Sequence, residues 1–215
     1  MTGHPLKRRR GRPALPPEQQ RQRLLEAAER CFERNRYEGA GIQNIVREAG
    51  MSSRSFYQFF ESKEDLVTQL SEDRAATLLT EMEKAFRDAD EMWEAVDRVL
   101  RIYLELLPMV VLDLDRLSGT VSQRVRQLRD TYRGKIGQLL IREITRLAAV
   151  GAAPAEPDPM SIALVLAGIE GISISYHYEG RREELLALHP EILQALQRLF
   201  PNPPPELSPE REESS

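Results

Sequence analysis

Residues 42 to 60, IQNIVREAGMSSRSFYQFF, constrain the fold more than any other stretch. Ile42, Ile45, Val46 and Ala49 fall at helical spacing, and Gly50 can close that helix with a positive φ. Ser52 can cap a second helix whose apolar face carries Phe56, Phe59 and Phe60. Two short helices, over about 42–49 and 53–60, with a Gly-containing turn between them have the layout of a helix-turn-helix. The same spacing fits an ordinary helical hairpin in an all-α core, so the flanking sequence has to decide.

Charge is distributed unevenly. The formal net charge is −4, which by itself argues against a nucleic-acid partner. Residues 1–66, however, hold 13 Lys and Arg against 9 Asp and Glu, a balance of +4, and the remainder holds 17 against 25, a balance of −8. A basic head on an acidic body implies that only the head meets phosphate. The chain has 215 residues, and its 41% hydrophobic content suits a soluble globular protein of one large or two modest domains. No apolar run reaches about 18 residues, so no membrane span is expected. The basic N-terminus lacks the apolar stretch of a secretory signal. The single cysteine, Cys31, allows no internal disulfide and no metal cluster, and it sits where a small core residue belongs. A cytoplasmic protein is the expectation.

Residues 1–16 read as a flexible basic arm. Lys7, Arg8, Arg9, Arg10 and Arg12 place five cations in six residues, and Gly11 and Pro13 oppose a helix there. A short extended Arg-rich segment fits a narrow minor groove, and RGRP resembles the core of minor-groove AT-hook segments. A solubilising tail has the same composition.

The rest of the chain predicts helices throughout, with no strand pattern and no repeat. The first runs from Pro17 to about Asn35, with Leu24, Ala28, Cys31 and Phe32 inward, and Arg36 to Gly41 form a loop. Ser62-x-x-Asp65 opens a long helix over 63–87. Helices over 90–107, 110–117 and 120–150 follow, with Pro108 ending or kinking the first of these. Asp158-Pro159 starts an apolar helix over 159–178, and a last helix lies in 182–200 with a fresh start at Pro190. The Pro- and Glu-rich residues 201–215 read as a disordered tail.

The run from the first helix to Leu66 resembles the DNA-binding domain of the TetR (tetracycline-repressor-like) family of bacterial transcriptional regulators. The resemblance rests on Ala27, Ala28 and Phe32, on Tyr37 in the loop, and on Ile45 with Ala49-Gly50-Met51-Ser52. Phe56-Tyr57-x-x-Phe60 and Ser62-Lys63-Glu64-x-Leu66 complete it. Two departures stand out. Ala40-Gly41 replace a usual hydroxyl pair; Gly41 can still cap the next helix, but the phosphate contact of a hydroxyl is not expected here. Ser53-Arg54 replace a common Lys-Gly pair, which adds a cation at the start of the second helix.

The resemblance implies an all-α protein of about nine helices. A helix-turn-helix domain over 17–66 would precede a ligand-binding and dimerisation domain over 67–200. The second helix of the motif would enter the major groove, with Arg54 reading a base edge and Ser52, Ser53, Ser55 and Gln58 adding base or phosphate contacts. Tyr57 and Lys63 would bind phosphates, and Gln43 and Asn44 are further phosphate candidates; core packing is the other reading of Tyr57. A ligand pocket would be lined by Met82, Phe86, Trp93, Tyr103, Leu107, Met109, Tyr132 and Tyr176, residues that also suit plain core packing. A dimer interface would draw on Ile162, Leu166, Ile169, Ile172, Leu193, Leu196 and Phe200, although the 159–178 helix could equally be the buried centre of the monomer. His177 reads as a surface or interface histidine, and no cluster of buried charge stands out.

The expected function is therefore a homodimeric regulator, a repressor by resemblance, that binds a double-stranded palindromic operator. A small, largely apolar or aromatic ligand would release it by moving the helix that begins at residue 63. The alternative is a DNA-binding or nucleoid-associated protein of the same fold, controlled by a protein partner without a small ligand. No enzymatic constellation, no cofactor, no metal site and no membrane partner are expected.

Overall fold

The computed structural model describes residues 15–111, 120–153 and 157–200. The cations of the arm, the segment 110–117 beyond Val111, the side chain of Met109 and the tail from 201 lie outside that description. Among the described residues there are nine helices and no strand. They form two compact units, one ending at Lys63 and one beginning at Glu64.

The first unit holds α1 (Pro17–Gly39), α2 (Ile42–Ala49) and α3 (Ser53–Phe56). Leu24, Leu25, Ala27, Ala28, Cys31 and Phe32 of α1 are buried, as are Ile45, Val46 and Ala49 of α2. Phe56 and Phe60 complete this core, their ring centroids 5.5 Å apart. Apolar residues at i, i+3 and i+4 put one stripe of each helix inward, as the 3.6-residue period requires. Outside that core, Glu48 of α2 ties back to α1. Arg30 Nε donates to its carboxylate at 3.0 Å and Arg34 donates to the other oxygen, and these bonds hold Glu48 below the usual carboxylate range.

Helical geometry in α1 breaks at Arg36, whose φ of 56° and ψ of 172° lie in a region that favours glycine. The loop expected from Arg36 onward thus begins at that residue, and one further turn carries the chain to Ala40.

The second unit contains α4 (Lys63–Arg87, from its second residue on), α5 (Met92–Val111), α6 (Thr120–Ala149), α7 (Pro159–Tyr178), α8 (Arg182–Ala187) and α9 (His189–Leu199). Its core joins Leu78, Met82 and Phe86 of α4 to Leu100, Tyr103 and Leu104 of α5. Ile136, Leu140 and Ile144 of α6 and Ile162, Leu166 and Ile169 of α7 close it. The helix expected to end or kink at Pro108 continues to Val111. The single helix expected over 182–200 is instead two. Pro190 has no N–H for a helical bond and stands at the first turn of α9, where that donor has no intrahelical acceptor to lose.

α7 bears on two expectations and corrects one of them, that no cluster of buried charge exists. By length and composition it could cross a membrane, with a mean hydropathy of 1.4 over its apolar window, because its glycines and serines barely lower the average. Glu170 in its middle is nevertheless buried and held by Arg133 of α6, with Nε to Oε2 at 2.6 Å and Nη2 to Oε1 at 2.9 Å. Arg129 Nε lies 3.4 Å from the same carboxylate. That cluster of buried charge was unexpected, and it marks α7 as a helix packed against α6.

Candidate functional site

Two separate features can serve function, one in each unit. The first is the turn between α2 and α3. Gly50 ends α2 in the left-handed region (φ 64°, ψ 35°), a conformation that disfavours any side chain. Its N–H reaches the Arg47 carbonyl at 3.1 Å, and the Met51 N–H reaches Val46 at 2.8 Å, so the last carbonyls of α2 are satisfied. Ser52 then caps α3: its hydroxyl accepts from the Ser55 N–H at 3.1 Å and lies 2.9 Å from the Ser55 hydroxyl. Ser53 is tied to α2 by Gln43, whose Nε2 donates to Ser53 Oγ at 3.1 Å. These bonds fix the angle between the two helices with four side chains that were expected to meet DNA.

α3 is shorter than the expected 53–60. After Phe56 the bonds tighten to the i−3 pattern, Gln58 to Ser55 and Phe59 to Phe56, and only Phe60 returns to i−4. Burial of both Phe56 and Phe60 on one side pulls the chain into this tighter turn. The opposite side presents Arg54, Tyr57 and Gln58 to solvent, with Tyr57 60% exposed. Among the described residues no ion pair engages Arg54. Asn44 is exposed on α2 as well. Lys63 is placed differently. Its ammonium donates to the Tyr37 carbonyl at 3.0 Å and lies 4.1 Å from the centroid of the Tyr37 ring.

The second feature is a cavity of about 510 Å³ inside the second unit. Met92, Trp93, Val96, Val99, Leu100 and Tyr103 of α5 line one wall, and Ser161, Ile162, Val165, Leu166 and Ile169 of α7 line the opposite one, with Pro157 and Asp158 just before it. Met82 of α4, Leu140 and Ile144 of α6, and Leu196, Leu199 and Phe200 at the end of α9 close it. The Met92 N–H bonds the Ala152 carbonyl at 3.0 Å, and burial together with the Glu170 charge raises the pKa of Tyr103. The two walls therefore run side by side, from Trp93 and Asp158 to Tyr103 and Ile169. Ten residues of helix at 1.5 Å each give a slot about 15 Å long.

Of the residues expected to line a pocket, Met82, Trp93 and Tyr103 do so. Phe86 and Leu107 are buried one turn past Met82 and Tyr103, where the slot has ended and they fill the core instead. Tyr132 and Tyr176 do not line it, and each ring has a cation over it: Lys135 Nζ lies 4.5 Å from the Tyr132 centroid and the Arg181 guanidinium carbon 4.5 Å from that of Tyr176. The cavity takes in five residues expected at a dimer interface instead, Ile162, Leu166, Ile169, Leu196 and Phe200. Ile162, Leu166, Ile169 and Leu196 are buried within the one chain, and Phe200 is half-buried. Of the remaining two, Leu193 is half-buried and Ile172 is exposed. The outward face of α7 consists of Met160, Ala163, Leu164, Ala167, Gly168, Gly171 and Ile172. A Cβ added at Gly168 or Gly171 would meet nothing within 4 Å. Asp158, Ser161 and the pair Glu170–Arg133 had no local signal as site residues, because their partners are distant in sequence or become relevant only beside a cavity.

Residues 24–70 match the family model of bacterial regulatory proteins of the tetR family. Over that stretch the chain is similar to the TetR family. It is 36% identical over 62 residues to the HTH-type transcriptional repressor AcnR of Corynebacterium glutamicum. That match takes in 29% of this chain and 33% of AcnR, so the chain spans about a third of the length of the curated relatives it matches. Among solved structures, the fatty acid degradation regulator FadR from Bacillus halodurans superposes with a TM-score of 0.66 at 16% identity, over 81% of this chain and 96% of that one. FadR from Bacillus subtilis in complex with stearoyl-CoA gives 0.64 at 18% identity, over the same shares. The TetR-family regulator PfmR from Thermus thermophilus gives 0.55 at 22%, over 80% and 97%. At these identities the likeness establishes the fold: an N-terminal helix-turn-helix followed by a helical body.

Proposed function

We propose that this chain is a TetR-family DNA-binding transcriptional repressor that reads a palindromic operator as a homodimer and is released by a small, largely apolar ligand. The observation that carries the DNA reading is the outward side of the capped turn, where Arg54, Tyr57 and Gln58 stand exposed on a helix braced by Gln43 and Ser52. Arg54 would read a guanine edge with two hydrogen bonds, and Tyr57 would donate to a phosphate. Ser53 and Ser55, already bonded within the turn, would act mainly by holding α3 in place. The basic arm, Lys7 to Arg12, would add minor-groove contacts beside the site.

One such motif offers few contacts, so a two-fold dimer is needed to reach operator affinity. The outward apolar face of α7 is the surface that fits this, since small residues at Ala163, Ala167, Gly168 and Gly171 permit close approach of a second α7. Ligand control is supported by the slot in the second unit. Met82 on its wall belongs to α4, the helix that starts at Lys63, so filling the slot would bias that helix between two positions. A regulator acting on DNA in this way would work in the bacterial cytoplasm.

The deciding experiment is selection of bound duplexes from a random pool, followed by titration of the recovered site at rising salt. An enriched inverted repeat whose affinity falls steeply with salt is expected. Recovery of no preferred sequence, or a flat salt response, would overturn the reading.

A further inference from the structure

We infer that the slot in the second unit takes an elongated apolar molecule with a single cationic head, and not a fatty acid or acyl thioester. The inference rests on the proposal that the slot holds the controlling ligand, and it adds the ligand's charge. Its basis is the chemistry of the open end. Tyr103 closes the far end and is 3% exposed, whereas Leu199 at the near end is 67% exposed, so a ligand enters beside Trp93, Asp158 and Phe200. Among the described side chains lining the slot, one carries a full charge, the Asp158 carboxylate.

Asp158 also removes what would otherwise attract an anion there. The start of a helix welcomes negative charge through its free N–H groups. Here the carboxylate already accepts from the Ser161 N–H at 2.8 Å and from the Ser161 hydroxyl at 2.7 Å. These bonds hold Asp158 below the usual carboxylate range, so it stays ionised at neutral pH. An incoming carboxylate or phosphate would find the N–H occupied and a like charge beside it. An ammonium would find a carboxylate and the ring of Trp93, the pairing that suits an alkylated cation. The slot's length of about 15 Å and its apolar walls then accept the chain behind the head.

Trp93 is the only tryptophan in the sequence, so intrinsic fluorescence of the full-length protein reports on the mouth of the slot. Three probes of equal chain length separate the charge from the fit: dodecyltrimethylammonium, dodecanol and dodecanoate, each below its micellar concentration. The expected order of affinity is the cation first, the alcohol second and the carboxylate last, with roughly tenfold between cation and alcohol. Asp158→Asn, which retains a capping side chain, should remove that tenfold preference of the cation over the alcohol. Val165→Phe, which narrows the slot, should weaken all three.

Equal binding of the three, tightest binding of dodecanoate, or an unchanged cation preference in Asp158→Asn would overturn the inference about charge and leave the slot as the ligand site. Failure of every probe to perturb Trp93 would overturn both.

Discussion

The Lys63 ammonium donates to the main-chain carbonyl of Tyr37 at 3.0 Å while sitting 4.1 Å from the centroid of the same residue's ring. Tyr37 in turn packs its ring against Phe32, the centroids 5.5 Å apart. Lys63, the first residue of α4, thereby holds the loop after α1, and in the proposed DNA binding it would act by positioning. Lys63→Met should cost about 1 kcal/mol of stability through loss of the charged hydrogen bond and the cation–ring contact. It should leave the slope of log affinity against log salt unchanged. A fall in that slope of about one would instead make Lys63 a phosphate contact.

Arg36, immediately before Tyr37, is the one non-glycine residue with positive φ among those described. Its φ of 56° and ψ of 172° cost a side-chain-bearing residue on the order of 1–3 kcal/mol. Glycine relieves that strain but adds freedom to the unfolded chain, which returns up to about 1 kcal/mol. The net expectation for Arg36→Gly is a gain of about 1 kcal/mol in urea denaturation. A loss would mean that contacts of the Arg36 side chain outweigh the strain of its backbone.

Arg54 stands exposed at the second position of α3 with Gln43 and Ser53 bonded beside it. Arg54→Ala should cost roughly 1–3 kcal/mol at a single base position and relax the preference there. An equal fall in affinity for every sequence would assign Arg54 to the phosphate backbone. Repeating the random-pool selection with the variant separates the two outcomes.

The turn at 50–52 was legible because its signals are local: a glycine for the left-handed cap and a serine two residues later. The shortening of α3 was not, since it arises from burying Phe56 and Phe60 against other helices. α7 misled for a related reason. It is apolar on both faces, so helical spacing could not say whether Ile162, Leu166 and Ile169 or Met160, Leu164 and Ile172 face inward. Only packing against α5 and α6 resolves that. Pocket residues at helical spacing read the same as core residues, and the difference is empty volume, which no sequence pattern records.

Leu164 is 66% exposed on the outward face of α7, between Met160 and Gly168. If that face is the dimer surface, Leu164→Glu buries two carboxylates against apolar neighbours and against each other. The variant should sediment as a monomer with an unchanged helical circular dichroism spectrum. Its operator affinity should fall with the loss of the second motif. A variant that stays dimeric would move the interface to another surface, with Leu199 on α9 the next exposed apolar residue to test.

Glu170 is 3% exposed and joins α7 to α6 through Arg133, one guanidinium edge meeting both carboxylate oxygens. Such a pair is not in itself a large source of stability, because burying either charge costs nearly what the pairing returns. Breaking it from one side is different. Arg133→Ala leaves the carboxylate in the core with Arg129 at 3.4 Å as the remaining cation, so the cost should fall below the roughly 3–5 kcal/mol of a fully orphaned buried charge. About 2 kcal/mol is the expectation, and Arg129→Ala combined with Arg133→Ala should exceed the sum of the single losses. Glu170→Gln keeps the shape and removes the charge that must be compensated, so in the double-arginine background it should recover most of the lost stability. Thermal unfolding of the four variants measures the coupling directly. Additive losses would show that Arg129 and Arg133 act on Glu170 independently, and that the carboxylate is better solvated than its burial implies.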